Sequence, residues 1–440
     1  MPRSTPRAGD QRRGAFVWVW LPGATEPVVA GRVQAAGTAT YAFVYARSYL
    51  ARPNRIPLYL PELPLTDEPQ LPTGPLGIAG CLRDASPDAW GRRVILARRF
   101  GHLDEESDTG DLDELTYMLE SGSDRIGGLD FQASATEYVP REETATLPEL
   151  LEAAERLEAG RPLPPAVAEA LIRGSSIGGA RPKVTLRPDL GTGLPGDGVG
   201  AAHGPDGRHL IAKLSSKTDL YPVVKAEAVA MVLARRVGLD VAHAWVASTA
   251  GRDVLLVERF DRTPVPGQRR LMVSALTILG FGEMESHHAS YVDLADGIRA
   301  RFAAPKTTLR ELYTRMVFNV CVGNTDDHLR NHAAFWDGSA LTLTPAYDLC
   351  PQLRSGEIAS QAINLTRVPG ERASQLRLCR KAAADFLLDA SEAEGLIDRV
   401  VTTIEREWPD AADEAALSAA ERNQLWRRQI LNPYLHYDQP

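Results

Sequence analysis

The stretch "GNTDDHLRNHAAFWDGSALTLTPAYD", Gly323 to Asp348, gathers acids, amides and two histidines around a short apolar hairpin pattern. A solvated loop would have that polarity, and so would a site for metal and proton chemistry. Upstream, Leu309, Leu312, Tyr313, Met316 and Val320 recur at helical spacing, with Arg310, Glu311 and Arg315 on the other face. Gly323 stands where a helix C-cap glycine would. Downstream, "HAAFW" and "SALTLTP" flank Asp337-Gly338, the strongest short hairpin signal. A hairpin brings its ends together, so Asn331 should come close to Asp348, with Asp326 in the same loop.

Asp326 and Asn331 form Asp-x-x-x-x-Asn, the spacing of the protein-kinase catalytic loop, in which the Asp is the base and the Asn binds magnesium. In those enzymes a second magnesium-binding Asp follows a hairpin, which is the place of Asp348. Hard oxygen ligands suit Mg²⁺, which takes one or two carboxylates together with substrate phosphates. A zinc site on His328 and His332 has the H-x₃-H spacing but no second ligand pair. An EF-hand fails for want of the glycine and glutamate its loop requires.

The rest of that chemistry would need a phosphate-covering turn, a strand lysine and a helix carboxylate to hold the lysine. They occur in that order. "SSIGGARPK" is a small-residue turn ahead of a strand, able to aim backbone N–H groups at phosphate. Lys213 lies in the apolar strand pattern "HLIAKLSS", where an unpaired ammonium is costly to bury. Glu227 has Val223, Val224, Ala230, Met231 and Ala234 at helical spacing, and is the only acid between Pro222 and Leu239. A carboxylate in such a stripe requires a partner, and Lys213 is the obvious one. Otherwise Glu227 would share a narrow solvent strip with Lys225.

The chain has 440 residues, 44% hydrophobic and 24% charged, within the ordinary range for globular proteins. A net charge of -8 argues against autonomous binding to a phosphate backbone. The four cysteines are scattered without a CxxC, so neither a disulfide framework nor a zinc knuckle is expected. No apolar signal-peptide core follows the basic start, and "AFVWVWL" is too short to span a bilayer. A cytoplasmic location is expected.

Along the chain, "FVWVWL", "VVAGRV" and "TYAFVYA" read as strands, "SPDAWGRRVILARRF" and "LDELTYMLESG" as helices, and "DRIGGLDFQ" as a turn and strand. The helix "TLPELLEAAERLEAG" leads into "RPLPP", a boundary signal. The glycine-dense stretch "DLGTGLPGDGVGAAHGPDG" reads as a flexible hairpin tip between the strands carrying Lys183 and Lys213. The expected division is a β-rich subdomain over 1–140, a mixed β unit over 141–265 and a helical unit over 266–440. The fold class is α+β, with a two-lobed kinase-like part after the first subdomain.

Taken together, "SSIGGARPK", "AKLSS", "AEAVAMVLARRVGL", "VERFDR", "GNTDDHLRN" and "LTPAYD" resemble the HipA family of toxin serine/threonine kinases, over about 175–350. "SPDAWGRR" and "DRIGGLDF" are similar to that family's N-terminal subdomain. The resemblance implies Asp326 as base, and Asn331 and Asp348 as magnesium ligands. It implies Lys213 on the α/β-phosphates, Glu227 orienting it, and Glu258 to Phe260 as the adenine hinge. Gly178, Gly179, Ala180 and Lys183 would cover the phosphates, with His328 and Tyr347 lining the nucleotide site and Ser176 autophosphorylated. It further implies Mg-ATP as cofactor, an aminoacyl-tRNA synthetase as protein substrate, growth arrest, and a helix-turn-helix antitoxin of the HipB type that carries the DNA contact. Asp327 stands where the family often has glycine, and the glycine-rich insertion is unusually long. A small-molecule phosphotransferase and a catalytically silent co-repressor are the rival readings.

Overall fold

The computed structural model describes residues 14–101, 112–141, 146–163, 168, 171, 181–186, 208–216, 219–354 and 356–437. The chain forms two compact units, Met1–Ala180 with Asp261–Leu271, and Arg181–Phe260 with Met272–Pro440.

In the first unit, strands β1 (Gly14–Val19), β2 (Val28–Ala35), β3 (Tyr41–Tyr45) and β4 (Leu129–Gln132) form an antiparallel sheet in the order β3-β2-β1-β4. The three strands read from apolar runs in the first 50 residues are therefore neighbours, and the "GLDFQ" strand closes the edge beside β1. Helices Ala89–Phe100 and Glu114–Glu120 start on Asp88 and Asp113, whose side chains accept from the backbone N–H of Gly91 and Thr116. Val17, Val19, Trp90, Tyr117 and Phe131 fill the core.

Asp130 of β4 lies fully buried within that core. Its Oδ1 accepts from Arg125 Nε at 2.8 Å, Phe131 N at 2.7 Å and Arg141 Nη2 at 3.0 Å. Its Oδ2 accepts from Gln132 Nε2 at 2.8 Å and the Tyr138 hydroxyl at 3.1 Å. Burial pulls the Arg125 guanidinium down to about 10, against the opposing pull of Asp130. Burial alone would raise the Asp130 carboxyl, but Arg125 and Arg141 outweigh it and hold the group below its ordinary value.

In the second unit, β5 (Lys183–Leu186), β6 (Leu210–Leu214), β7 (Ala244–Thr249) and β8 (Arg252–Glu258) form an antiparallel sheet in the order β5-β6-β8-β7. Helix Val223–Val237 packs between β7 and β8 on one side and the long helix Ala390–Glu414 on the other. That double contact explains why nearly every residue of the helix is apolar and buried. A second sheet takes the order β11-β10-β9, from β9 (Leu271–Ser274), β10 (Ala333–Trp336) and β11 (Leu341–Leu343). Helix Pro305–Val322 packs against both Tyr291–Arg301 and Leu376–Ala382.

The α+β architecture is as expected, with strands leading and helices following in the second unit. The expected cuts near 140 and 265 differ from the compact units. Helix Leu147–Glu158 stays with the first unit, and so does the return segment Asp261–Leu271. Arg262 accounts for the return: its guanidinium donates to Asp124 at 2.8 Å and to the Arg125 carbonyl at 2.7 Å. The sheet β5–β8 and the helical region remain one unit because helix Val223–Val237 belongs to both cores. The glycine-dense insertion lies outside the described residues.

Candidate active site

The catalytic-loop stretch begins at a helix end. Helix Pro305–Val322 stops at Gly323, whose φ of 73° is left-handed. The N–H of Asn324 bonds the Asn319 carbonyl at 2.9 Å and so closes the last turn. After the loop, β10 and β11 pair Ala334 with Leu343, Phe335 with Thr342 and Trp336 with Leu341. Asp337 turns the hairpin: its Oδ1 accepts from the N–H groups of Ser339 and Ala340, both at 2.8 Å. The ends of the hairpin meet, as the Tyr347 hydroxyl donating to the Arg330 carbonyl at 2.6 Å shows.

Lys213 of β6 stands directly opposite Lys183 of β5. Two ammonium groups in register repel, so nearby carboxylates are needed. Glu227, 4% exposed, reaches from helix Val223–Val237 to place its Oε1 2.5 Å from Lys213 Nζ. Asp348 reaches the same ammonium from beyond the hairpin. Strand, helix and loop thus meet on one nitrogen. Burial opposes the charge on Lys213, yet Asp348 and Glu227 together raise its pKa above the ordinary lysine value. Burial raises the Glu227 carboxyl, Lys213 lowers it, and Asp348 adds repulsion, leaving a net rise. At Asp348 burial also raises the carboxyl, but Lys213 and then Lys183 prevail and lower it. The solvent-strip alternative for Glu227 does not hold; Lys225 instead pairs with Asp253 at 3.2 Å and Glu421 at 3.3 Å.

Asp348 has φ 60°, a left-handed conformation that costs a non-glycine residue about 1–2 kcal/mol. Its carbonyl accepts from Asn324 Nδ2 at 3.3 Å, and the N–H of Ala346 bonds the Asp240 carbonyl at 2.8 Å. A strained backbone at a residue that aims a carboxylate is a usual mark of a functional site.

Asp326 projects to solvent from the loop. Partial desolvation, opposed by His328 and reinforced by Asp348 and Asp327, raises its carboxyl above the ordinary range. Asn331 is buried, and its Nδ2 donates to the Asp326 carbonyl at 3.3 Å. Its Oδ1 and the Nδ1 of His328 have no protein partner among the described residues. A buried amide oxygen without a donor is unfavourable unless a ligand supplies one. His332 is held by Asp327 at 2.8 Å from Nε2, so that nitrogen is committed within the fold.

The expected hinge is only partly available to a ligand. The N–H of Glu258 bonds the His243 carbonyl at 2.8 Å, and that of Arg259 bonds the His209 carbonyl at 2.9 Å. The Glu258 carboxylate faces Arg208 at 3.1 Å. The Phe260 ring lies 5.9 Å from Phe335 and 5.6 Å from Tyr347, an aromatic wall that continues to the hairpin. Ser176, Gly178, Gly179 and Ala180 lie outside the described residues; Lys183 is buried in β5. Sequence reasoning did not find Asn324, nor Arg181, which pairs with Asp219 at 2.8 Å. Their partners are set by tertiary packing and leave no local pattern.

A helix glutamate, Glu227, and a hairpin-borne aspartate, Asp348, thus meet on the ammonium of the strand lysine Lys213, within an α+β, kinase-like fold. Family comparison agrees: residues 175–408 match the HipA-like C-terminal domain and residues 19–132 the HipA N-terminal domain. The chain belongs to the HipA family. It is 28% identical over 141 residues to the serine/threonine-protein kinase toxin HipA of Shewanella oneidensis, covering 28% of this chain and 33% of that protein. It is 34% identical over 131 residues to the protein Y4mE of Sinorhizobium fredii, covering 28% of this chain and 31% of that one. The chain thus matches about a third of the length of these relatives. In overall structure it resembles HipA in the complex of HipA, HipB and operator DNA from Shewanella oneidensis MR-1. That match has a TM-score of 0.64 at 18% identity and covers 97% of this chain and 100% of the other. No helix among the described residues is long and apolar enough to cross a membrane.

Proposed function

We propose that this chain is an ATP- and magnesium-dependent serine/threonine-protein kinase acting as the toxin of a toxin–antitoxin pair. The observation that carries the reading is the meeting of Glu227 and Asp348 on Lys213, next to a buried Asn331 Oδ1 that has no donor among the described residues. Lys213 and Lys183 would bind the phosphates, and Glu227 would orient Lys213. Asn331 Oδ1 and Asp348 would hold magnesium, which when bound supplies positive charge to the phosphate oxygens. Phe260 and Tyr347 offer apolar ring surface to a base. Asp326, reaching solvent with a raised carboxyl pKa, would accept the proton of the attacking hydroxyl. The remaining charge stabilisation would come from positioned cations, as is general for phosphoryl transfer.

The protein substrate is proposed to be a translation component such as an aminoacyl-tRNA synthetase, its modification leading to growth arrest. A HipB-type helix-turn-helix antitoxin is proposed as partner, with DNA reached through it. Ser176 is proposed as a site of autophosphorylation. The test is incubation of the purified chain with radiolabelled Mg-ATP and a cell lysate. Label should enter a protein band and Ser176, and should be absent with Asp326→Ala. Transfer only to small molecules would establish the phosphotransferase alternative, and no transfer at all the silent co-repressor.

A further inference from the structure

The loop that carries Asp326 and Asn331 has a second pair at the same spacing, one residue on: Asp327 and His332. Asp326 points to solvent, whereas Asp327 is 1% exposed and His332 3%. The inner pair is joined directly, His332 Nε2 lying 2.8 Å from Asp327 Oδ2. A carboxylate oxygen accepts, so Nε2 carries the hydrogen. The same oxygen accepts from the hydroxyl of Tyr291, fully buried at the start of helix Tyr291–Arg301, whose ring meets His332 edge-on at 5.5 Å.

The chain of bonds continues. Asn319 Nδ2 donates to the Tyr291 oxygen at 3.2 Å. Asn324 Nδ2 donates to Asn319 Oδ1 at 3.1 Å and to the Asp348 carbonyl at 3.3 Å. Asn319 and Asn324 are each 1% exposed. One buried network thus touches the neighbours of Asp326 and of Asn331, and the backbone of Asp348. Asp326, Asn331 and Asp348 are all tied to it through these neighbours.

We propose that Asp327 is a positioning residue, the centre of a clamp with His332 and Tyr291 that holds Asp326 and Asn331 at the ends of a short loop. The proposal rests on the kinase reading for its consequence in catalysis, but not for the clamp itself. A small misplacement of a reacting group can cost about 100-fold in rate. Asp327 contributes to the loop a buried acceptor shared by Tyr291 and His332.

The clamp is tested by amide hydrogen exchange on the full chain without nucleotide, together with turnover, KM for ATP and thermal unfolding. The variants are Asp327→Ala, Asp327→Asn and Tyr291→Phe. Asp327→Ala should speed exchange across 326–332 by at least about tenfold while helix Val223–Val237 stays protected. It should lower kcat on the order of 30–100-fold, with KM changed far less. Asp327→Asn keeps an acceptor for the Tyr291 hydroxyl and should recover most of the turnover and protection. Tyr291→Phe removes one donor at constant shape, should give an intermediate loss, and decides the matter if Asp327→Ala does not fold. Wild-type exchange and kcat in a folded Asp327→Ala, or in Tyr291→Phe where Asp327→Ala fails to fold, would overturn the clamp. A wild type that transfers no phosphate, yet shows the exchange pattern, would overturn the kinase reading and leave the clamp standing.

Discussion

In the first unit, the buried Asp130 receives donors on both oxygens, from Arg125, Arg141, Gln132, Tyr138 and a backbone N–H. In the second, Glu227 and Asp348 share a single ammonium, while the oxygen of Asn331 beside them has no donor among the described residues. The two clusters use the same chemistry of buried opposite charge. In the first, both carboxylate oxygens are satisfied by groups of the chain itself. The other has a left-handed backbone at Asp348 and a carboxyl at Asp326 held above its ordinary value, features on which the proposed nucleotide site rests. On the proposed reading, degree of completion rather than burial of charge is what distinguishes the two clusters.

The contrast breaks most readily at Asp326. Asp326→Ala should lower phosphoryl transfer about 10²–10⁴-fold, an activation difference of roughly 3–5 kcal/mol, with little change in unfolding midpoint. Transfer assays and urea titration of the same preparation check both halves; a stability loss matching the activity loss would make Asp326 structural. Asp130→Asn should do the reverse. Weakening a buried pair that leaves Arg125 uncompensated costs about 3–5 kcal/mol of stability. Denaturation should report that loss, while nucleotide affinity per folded molecule stays as in wild type.

Asp130 also gives a pH signature. Its carboxyl pKa is depressed in the folded state relative to a value of 3.8. Its contribution is therefore fully present above about pH 4 and is lost as pH falls through the lower folded value. Urea midpoints taken from pH 6 down to pH 3 should fall more steeply in wild type than in Asp130→Asn. Equal slopes would mean that the cluster is not the titrating element.

The smallest expected effect sharpens the other side. In a double-mutant cycle, Lys213→Ala and Glu227→Ala should show a coupling of about 0.5–3 kcal/mol in stability or nucleotide affinity. Additive losses would mean that the 2.5 Å contact between them carries no energy.

Local pattern is enough for much of this protein. The helix over 305–322, its glycine cap, the Asp337-Gly338 hairpin and the isolated Glu227 in an apolar helix each follow from spacing and turn chemistry, which act over a few residues. Hairpin topology by itself then brings Asp326, Asn331 and Asp348 into one region. What spacing cannot carry is which side of the loop faces inward. Asp326 and Asp327 are the same residue type at adjacent positions, yet one reaches solvent and the other is buried against Tyr291 and His332. The boundary between units is equally beyond pattern, because Arg262 binds back to Asp124 far earlier in the chain. Both depend on partners that only folding brings together, and a buried polar group is defined by those partners rather than by its neighbours in sequence.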